Sequence, residues 1–339
     1  MPSTVLSLTG NHKMKKKLVA IALSMSVCGG FISSADFPTA KISNGLIEAD
    51  LYLPDAQRGY YQGTRFDWSG VMPRLDYKGH SYFGIWNPAP YDPKLHDAIA
   101  GPVEEFVAVG MNEAPIGGEF LKIGVGTLIK PDAKPYSFMT PYTLKNGGEW
   151  TVKPFKDKVE FTHELTDAAG YGYVYRKTVR LTKGKPELVL EHSLKNTGTK
   201  PIETQTYNHN FFMIDNEPTG PNIKTTFPFE VSAEGRNFGT IAKAENKAIT
   251  YSRLIESGEF VFSAGLQGFG ATSNDYSMLI QNLKTGASVR IKGDKPLEKF
   301  VFWACHTTSC PEPYIKLSVK PQEEIHWKIT YEFKVETPN

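Results

Sequence analysis

The stretch Leu194-Lys-Asn-Thr-Gly-Thr-Lys-Pro-Ile-Glu-Thr-Gln-Thr-Tyr-Asn-His-Asn-Phe-Phe-Met-Ile-Asp215 decides how the chain is read. Just upstream, residues 187–195 alternate, with Leu188, Leu190, His192 and Leu194 on one side, which is the period of a half-buried strand. Asn196 to Pro201 then supplies turn residues, and a second strand follows. The pattern predicts two antiparallel strands joined by a turn. The second strand ends in Tyr207-Asn-His-Asn-Phe-Phe212, which sets His209 between two amides and beside aromatics. Taken alone, such a histidine reads as a core or edge residue satisfied by a neighbour, because a site needs several converging groups.

The same punctuation extends in both directions. Upstream, strands are predicted over 42–53, over 71–77 and 82–86 across Lys78-Gly-His80, and over 121–129, 150–155, 159–165 and 173–182. Downstream they are predicted over 223–231, 248–251, 259–264, 276–282, 300–305, 315–319 and 325–335. The run 300–305 is apolar throughout and reads as buried on both faces. No helical stretch exceeds one turn, and no period recurs at propeller or solenoid spacing. The expected fold is all-β, a large antiparallel β-sandwich in one domain over residues 36–339.

A formal net charge of +2, with no basic cluster interleaved with aromatics, gives no case for nucleic-acid binding. The one strongly basic run, 13–17, belongs to a targeting pattern: Met14-Lys-Lys-Lys, an apolar stretch over 18–32 too short for an ordinary membrane span, and Ser33-Ser-Ala35 before Asp36. Residues 1–13 read as an upstream extension with Met14 as initiator, and the expectation is export to the periplasm or beyond. Cys28 offers lipidation as the alternative, although Met25-Ser-Val-Cys28 matches the usual small-residue pattern poorly. In an oxidising compartment Cys305 and Cys310 either close a small loop or stay free; spacing alone does not decide. His306 between them lacks a second ligand cluster, so no metal site is expected.

Three further segments carry candidate chemistry. Tyr60-Tyr-Gln-Gly-Thr-Arg-Phe-Asp-Trp-Ser-Gly70 offers Arg65 and Asp67 to sugar hydroxyls, with Tyr60, Phe66 and Trp68 either as an aromatic wall or as core. The Pro-rich loop 87–105 contains His96-Asp97 and ends in Glu104-Glu105; His96 reads equally as a ligand to substrate or as a solvated loop histidine. Near the C-terminus stand Pro311-Glu312-Pro313, Pro321-Gln-Glu-Glu324 and Trp327 with Tyr331-Glu-Phe333.

Taken in order, these motifs resemble the galactose mutarotase (aldose 1-epimerase) superfamily over most of residues 42–335. The resemblance is specific at the Asn-His and Glu-Pro motifs. It implies the galactose mutarotase-like supersandwich and an isomerase that needs neither metal nor organic cofactor. His209 would act on the ring oxygen of a sugar, and Glu312, held on a rigid proline-flanked turn, would be the catalytic glutamate. Arg65 in Gly63-Thr-Arg65, Asp67, His96, Glu105 and Asn208 would bind substrate or hold the histidine, with Asp275 or Asn274 as a further grip on a hydroxyl. The expected partner is a small sugar; oligomeric state is not readable. Glu104-Glu105 departs from the family pattern and implies an altered substrate preference. The segment Cys305 to Cys310 is longer than the family's, which bears on the register of Glu312. A non-catalytic carbohydrate-binding protein on the same sandwich is the alternative, and an accessory domain of a polysaccharide-degrading enzyme is a third reading.

Overall fold

Asparagine and glycine turns break the chain into strands more finely than hydrophobic runs suggest. In the computed structural model, which describes residues 37–87 and 90–337, the 42–53 run is two strands, β1 (Thr39–Ser43) and β2 (Ile47–Tyr52). Gly45 takes φ 84°, and Asn44 Oδ1 accepts from the Leu46 and Ile47 N–H groups at 3.0 and 2.9 Å. That local bonding closes a hairpin inside a stretch that otherwise alternates. The targeting residues 1–35, Cys28 among them, lie outside the described residues.

The chain continues through β3 (Val71–Tyr77), β4 (His80–Ser81), β5 (Val103–Phe106), β6 (Glu119–Lys122), β7 (Gly126–Ile129), β8 (Leu144–Asn146), β9 (Glu149–Pro154), β10 (Lys158–Ala168) and β11 (Tyr171–Leu181). Then follow β12 (Glu187–Asn196), β13 (Ile202–His209), β14 (Ile223–Thr226), β15 (Ala242–Glu245), β16 (Ala248–Tyr251) and β17 (Phe260–Ser263). The last are β18 (Ser277–Asn282), β19 (Ala287–Gly293), β20 (Lys299–Cys305), β21 (Ser309–Val319) and β22 (Glu324–Val335). The predicted strand over 121–129 is the hairpin β6–β7, turned at Gly124 with φ 76°. The predicted 82–86 strand is not laddered; only Tyr82 N–H reaches back, to the Leu75 carbonyl.

Two sheets dominate. One has ten strands in the order β15-β16-β14-β18-β19-β22-β12-β11-β10-β9, the other five in the order β17-β20-β21-β13-β5, and every ladder in them is antiparallel. Their facing side chains, such as Leu190, Val289, Tyr331, Phe302 and Leu317, form one buried core. The fold is therefore all-β, with large antiparallel sheets layered on a shared interior, as alternation requires.

The hairpin expected at residues 187–212 is not one. β12 ladders to β11 and β22 in the larger sheet, whereas β13 ladders to β21 and β5 in the smaller. Residues 196–201 are a crossover between layers. Asn196 Nδ2 donates to the Lys200 and Val319 carbonyls, each at 2.8 Å, and the N–H groups of Thr197 to Lys200 go to the carbonyls of Gly170 and Gly172. The turn residues thus bond outward to a neighbouring loop, not across to a hairpin partner.

Candidate active site

Alternation along the five-stranded sheet sorts its side chains into two sets. One set faces the core; the other floors a cleft of about 650 Å³. On that outer face the register lays out rows. Lys299, Tyr314, Tyr207 and Glu105 stand opposite one another across β20, β21, β13 and β5. One two-residue step along come Val301 and Glu312, with His209 on the neighbouring strand end. A further step brings Phe262 and Trp303 into register on β17 and β20. Loops supply the walls: Arg65, Trp86, His96, Asp97, Phe138 and Met139.

Glu312 reaches this row from within β21, not from a proline-flanked turn. Pro311 and Pro313 pair with Phe302 and Phe300, but the ladder to β13 stops at Tyr207 and Tyr314. Both prolines therefore sit where one side of the strand carries no ladder, the place where a missing N–H is tolerated. The long segment before Glu312 is absorbed by the β20–β21 hairpin, in which Cys310 pairs with Trp303. Cys305 lies two residues further along β20, a diagonal relation beyond ordinary disulfide reach, and both thiols are free.

His209 Nε2 lies 3.2 Å from Glu312 Oε1, and both side chains are about 5% exposed. The imidazole stacks on Phe211 with centroids 3.8 Å apart and meets Trp303 and Phe66 edge-on. Phe211 in turn stacks on Trp86. The strand end is fixed from behind: Asn210 donates to the Pro311 carbonyl at 2.9 Å and accepts from the Tyr331 hydroxyl at 2.8 Å. Gly101 packs so closely there that an added Cβ would lie 2.4 Å from the Asn210 carbonyl oxygen, so a side chain at 101 would displace the backbone that carries the histidine. Burial, then the Arg65 charge, hold His209 well below the ordinary imidazole range. Burial pushes Glu312 up to about 8. Near neutral pH the pair is an uncharged imidazole and a protonated carboxyl, with one transferable proton between them.

Beside the pair is an ionic clamp. Glu105 Oε2 accepts from Arg65 Nε at 2.7 Å and from the Tyr207 hydroxyl at 2.6 Å, and Oε1 lies 3.3 Å from Lys122 Nζ. Despite burial, the Arg65 and Lys122 charges hold Glu105 down at about 2. Arg65 also lies over the rings of Phe66 and Phe138, 4.4 and 4.1 Å from their centroids. Glu105 lines the cleft with its oxygens already engaged, so what it offers a ligand is mainly the orientation of Arg65.

Of the residues proposed from sequence, Arg65, His96, Glu105, His209 and Glu312 converge on the cleft. Asp67 does not. It is fully buried between the sheets, where Oδ2 accepts from Ser69 Oγ at 2.6 Å and from the Tyr175 hydroxyl at 3.0 Å. Asn208 also points inward, as strand parity demands of a neighbour of His209, and donates to Glu104 Oε1 at 2.9 Å. Glu104 belongs to the same buried cluster, bonded to Lys177 and 2.8 Å from His192 Nε2. Tyr60, Phe66 and Trp68 are core. Asp275 is in a turn away from the cleft, accepting from Gly270 N–H at 2.6 Å. Sequence reasoning missed Tyr314, Trp303, Lys299 and Phe138. The first three follow from strand parity once Glu312 is placed within β21; Phe138 sits on the β7–β8 loop and has no such signal.

Among the described residues no group of three His, Cys, Asp or Glu side chains is gathered as metal ligands, and no helix is long and apolar enough to cross a membrane.

No protein-family model and no curated protein matches the chain. Solved structures do. The GalM/aldose epimerase homologue from C. elegans aligns over 88% of this chain and 99% of its own, with a TM-score of 0.53 and 13% identity. A galactose mutarotase-like protein from Clostridium acetobutylicum aligns over 89% and 100%, with a TM-score of 0.51 and 14% identity. A galactose mutarotase related enzyme from Lactobacillus acidophilus gives 87%, 97%, 0.51 and 10%. At such identities the likeness speaks for architecture, and on that ground the chain has the galactose mutarotase-like β-sandwich fold.

Proposed function

We propose that the protein is an exported aldose 1-epimerase-like isomerase that interconverts the anomers of a sugar by acid–base catalysis through His209 and Glu312. The observation that carries this reading is the buried His209–Glu312 contact at 3.2 Å, one proton between two groups, on the floor of an aromatic cleft. Mutarotation needs one base and one acid. Passing the proton from Glu312 to His209 Nε2 yields a carboxylate and an imidazolium. The carboxylate takes the proton of the anomeric hydroxyl, that O–H pair forms the C1=O bond, the C1–ring-oxygen bond breaks, and the ring oxygen takes the imidazolium proton. Rotation about C1–C2 and the reverse transfers close the ring on the opposite face. Arg65, steadied by Glu105 and Tyr207, supplies directed donors for hydroxyls, and Phe211, Trp303 and Phe138 supply apolar faces.

One feature favours the alternative, a carbohydrate-binding protein without turnover: His209 and Glu312 touch each other directly, where a hemiacetal's two oxygens would have to enter. The two readings separate in one experiment. Anomer exchange of free aldoses and uronic acids is followed by NMR exchange spectroscopy with wild type, His209→Ala and Glu312→Gln. The isomerase reading expects acceleration by wild type that falls at least about a hundredfold in each variant, the low end of what general acid–base catalysis contributes. Binding without acceleration on any sugar of the panel sinks it in favour of the second reading. Export through residues 14–35 is a proposal of its own; a Met14-initiated product recovered in the cytosol at full length would refute it.

A further inference from the structure

Beyond the reacting pair the cleft continues across β20 and β17, and that half has no part in the proton transfers described above. Its floor is low. Val301, opposite Glu312, and Ala264, one two-residue step past Phe262, are the small side chains of rows otherwise built from large ones. On one flank stands Lys299, its Nζ 4.9 Å from the Tyr314 ring centroid. On the other stand Trp303 and its cross-strand partner Phe262, which is 37% exposed. Phe260 prolongs that wall, and the Arg236 guanidinium lies 4.1 Å over its ring. Among the described residues neither Lys299 nor Arg236 has a carboxylate at ion-pair distance, whereas Arg65 and Lys122 at the other end are both paired to Glu105.

We propose that this hollow is a second saccharide subsite, taking the neighbouring unit of an acidic oligosaccharide whose reducing end lies at His209 and Glu312. The proposal rests on the reading of that pair as the place where the anomeric carbon binds. Strands lie about 4.8 Å apart, so the middle of the hollow is roughly 7 Å from Glu312, about one sugar unit away. A cleft of about 650 Å³ is also in the range that encloses a ligand larger than a single hexose. Flat aromatic faces suit the apolar face of a sugar ring, and the unpaired Lys299 beside them suits a carboxylate carried on that ring. A neutral polysaccharide has no use for that cation; a lone monosaccharide has no use for the second hollow.

The test uses the quenching of tryptophan fluorescence, since Trp86 and Trp303 line the cleft. Wild type is titrated with galacturonic acid, its α-1,4-linked dimer, and maltose, and NMR exchange on the monomer is run alongside. The dimer is expected to bind at least about tenfold more tightly than either other sugar, a gain of about 1.4 kcal/mol. Phe262→Ala is expected to remove most of that gain while leaving monomer affinity and monomer exchange at wild-type values. Lys299→Gln is expected to remove it for the acidic dimer, and Lys299→Arg to keep it. Equal binding of monomer and dimer overturns the second subsite even where monomer exchange is accelerated. Tighter dimer binding with no exchange on any sugar supports the subsite and overturns the isomerase reading instead. Dimer affinity that survives both Phe262→Ala and Lys299→Gln also overturns the subsite.

Discussion

Burying Glu312 has a cost that the Arg65 and Lys299 charges only partly offset, and because that cost depends on pH it is measurable. Its folded pKa of about 8 lies above the ordinary carboxyl value of 4.5. Below about pH 4.5 folded and unfolded chains both hold the proton. Between 4.5 and 8 the unfolded chain releases it while the folded chain keeps it, so stability falls across that window and levels off above it. Glu312→Gln removes this dependence. Its melting temperature is expected to match wild type near pH 4 and to exceed it increasingly towards pH 8; a constant offset across that range would contradict the assignment. Activity follows the same proton. Above about pH 8 Glu312 ionises, the pair no longer carries a transferable proton, and anomer exchange is expected to decline; a rate that still climbs through pH 9 would speak against the pair as acid and base.

A single short strand, β5, divides its labour between cleft and core. Glu105 faces outward to Arg65, Tyr207 and Lys122, while Glu104 faces inward to Lys177, His192 and Asn208. Glu105→Ala leaves two buried cations without their carboxylate and is expected to cost about 3–5 kcal/mol in urea unfolding. Because pairing holds Glu105 near 2, its contribution is complete above about pH 4.5 and is lost as pH falls towards 2. At the β12–β13 crossover, Asn196→Ala removes three side-chain hydrogen bonds, to the Lys200 and Val319 carbonyls and from the Gly198 N–H, an expected loss of about 1–3 kcal/mol by the same measurement. These elements also show what a sequence makes legible. Alternation in residues 187–195 marks a strand whatever its partner, but whether Asn196 to Pro201 closes a hairpin or crosses between sheets depends on contacts with Gly170 and Gly172, which no local pattern carries. Glu312 was recognisable by its Glu-Pro motif. Its placement on a turn failed because proline reads as a strand breaker, and only the end of the β13 ladder makes it compatible with β21.

Across the whole molecule, the two large sheets enclose an apolar core with an ionic cluster set inside it. Lys177 is buried against Glu104 and 3.8 Å from Asp67, and it donates to the Ser69 carbonyl at 3.0 Å. Burial raises Asp67 to about 6, while the Lys177 charge, with the hydrogen bond to His192, holds Glu104 at about 2. Lys177→Met leaves both carboxyls without a cation and is expected to cost about 3–5 kcal/mol in urea unfolding, almost unchanged between low and high salt because the cluster is shielded from ions. From sequence, Asp67 looked like a sugar ligand because polar residues among aromatics suit either role; only the packing of β11 behind it, through Tyr175 and Lys177, decides. The β-rich class was legible, since period and turn chemistry repeat along the whole chain, whereas the partition into two sheets was not. The strand rows beneath the cleft carry one more consequence. Because cleft and core residues alternate along β20 and β21, the sheet behaves like a message read two letters at a time. Deleting one residue between Trp303 and Glu312 would turn the carboxyl into the interior and an apolar neighbour out towards the ligand, while an in-step deletion of two would shorten the hairpin and keep the meaning. Natural variation in that hairpin should therefore come in even numbers.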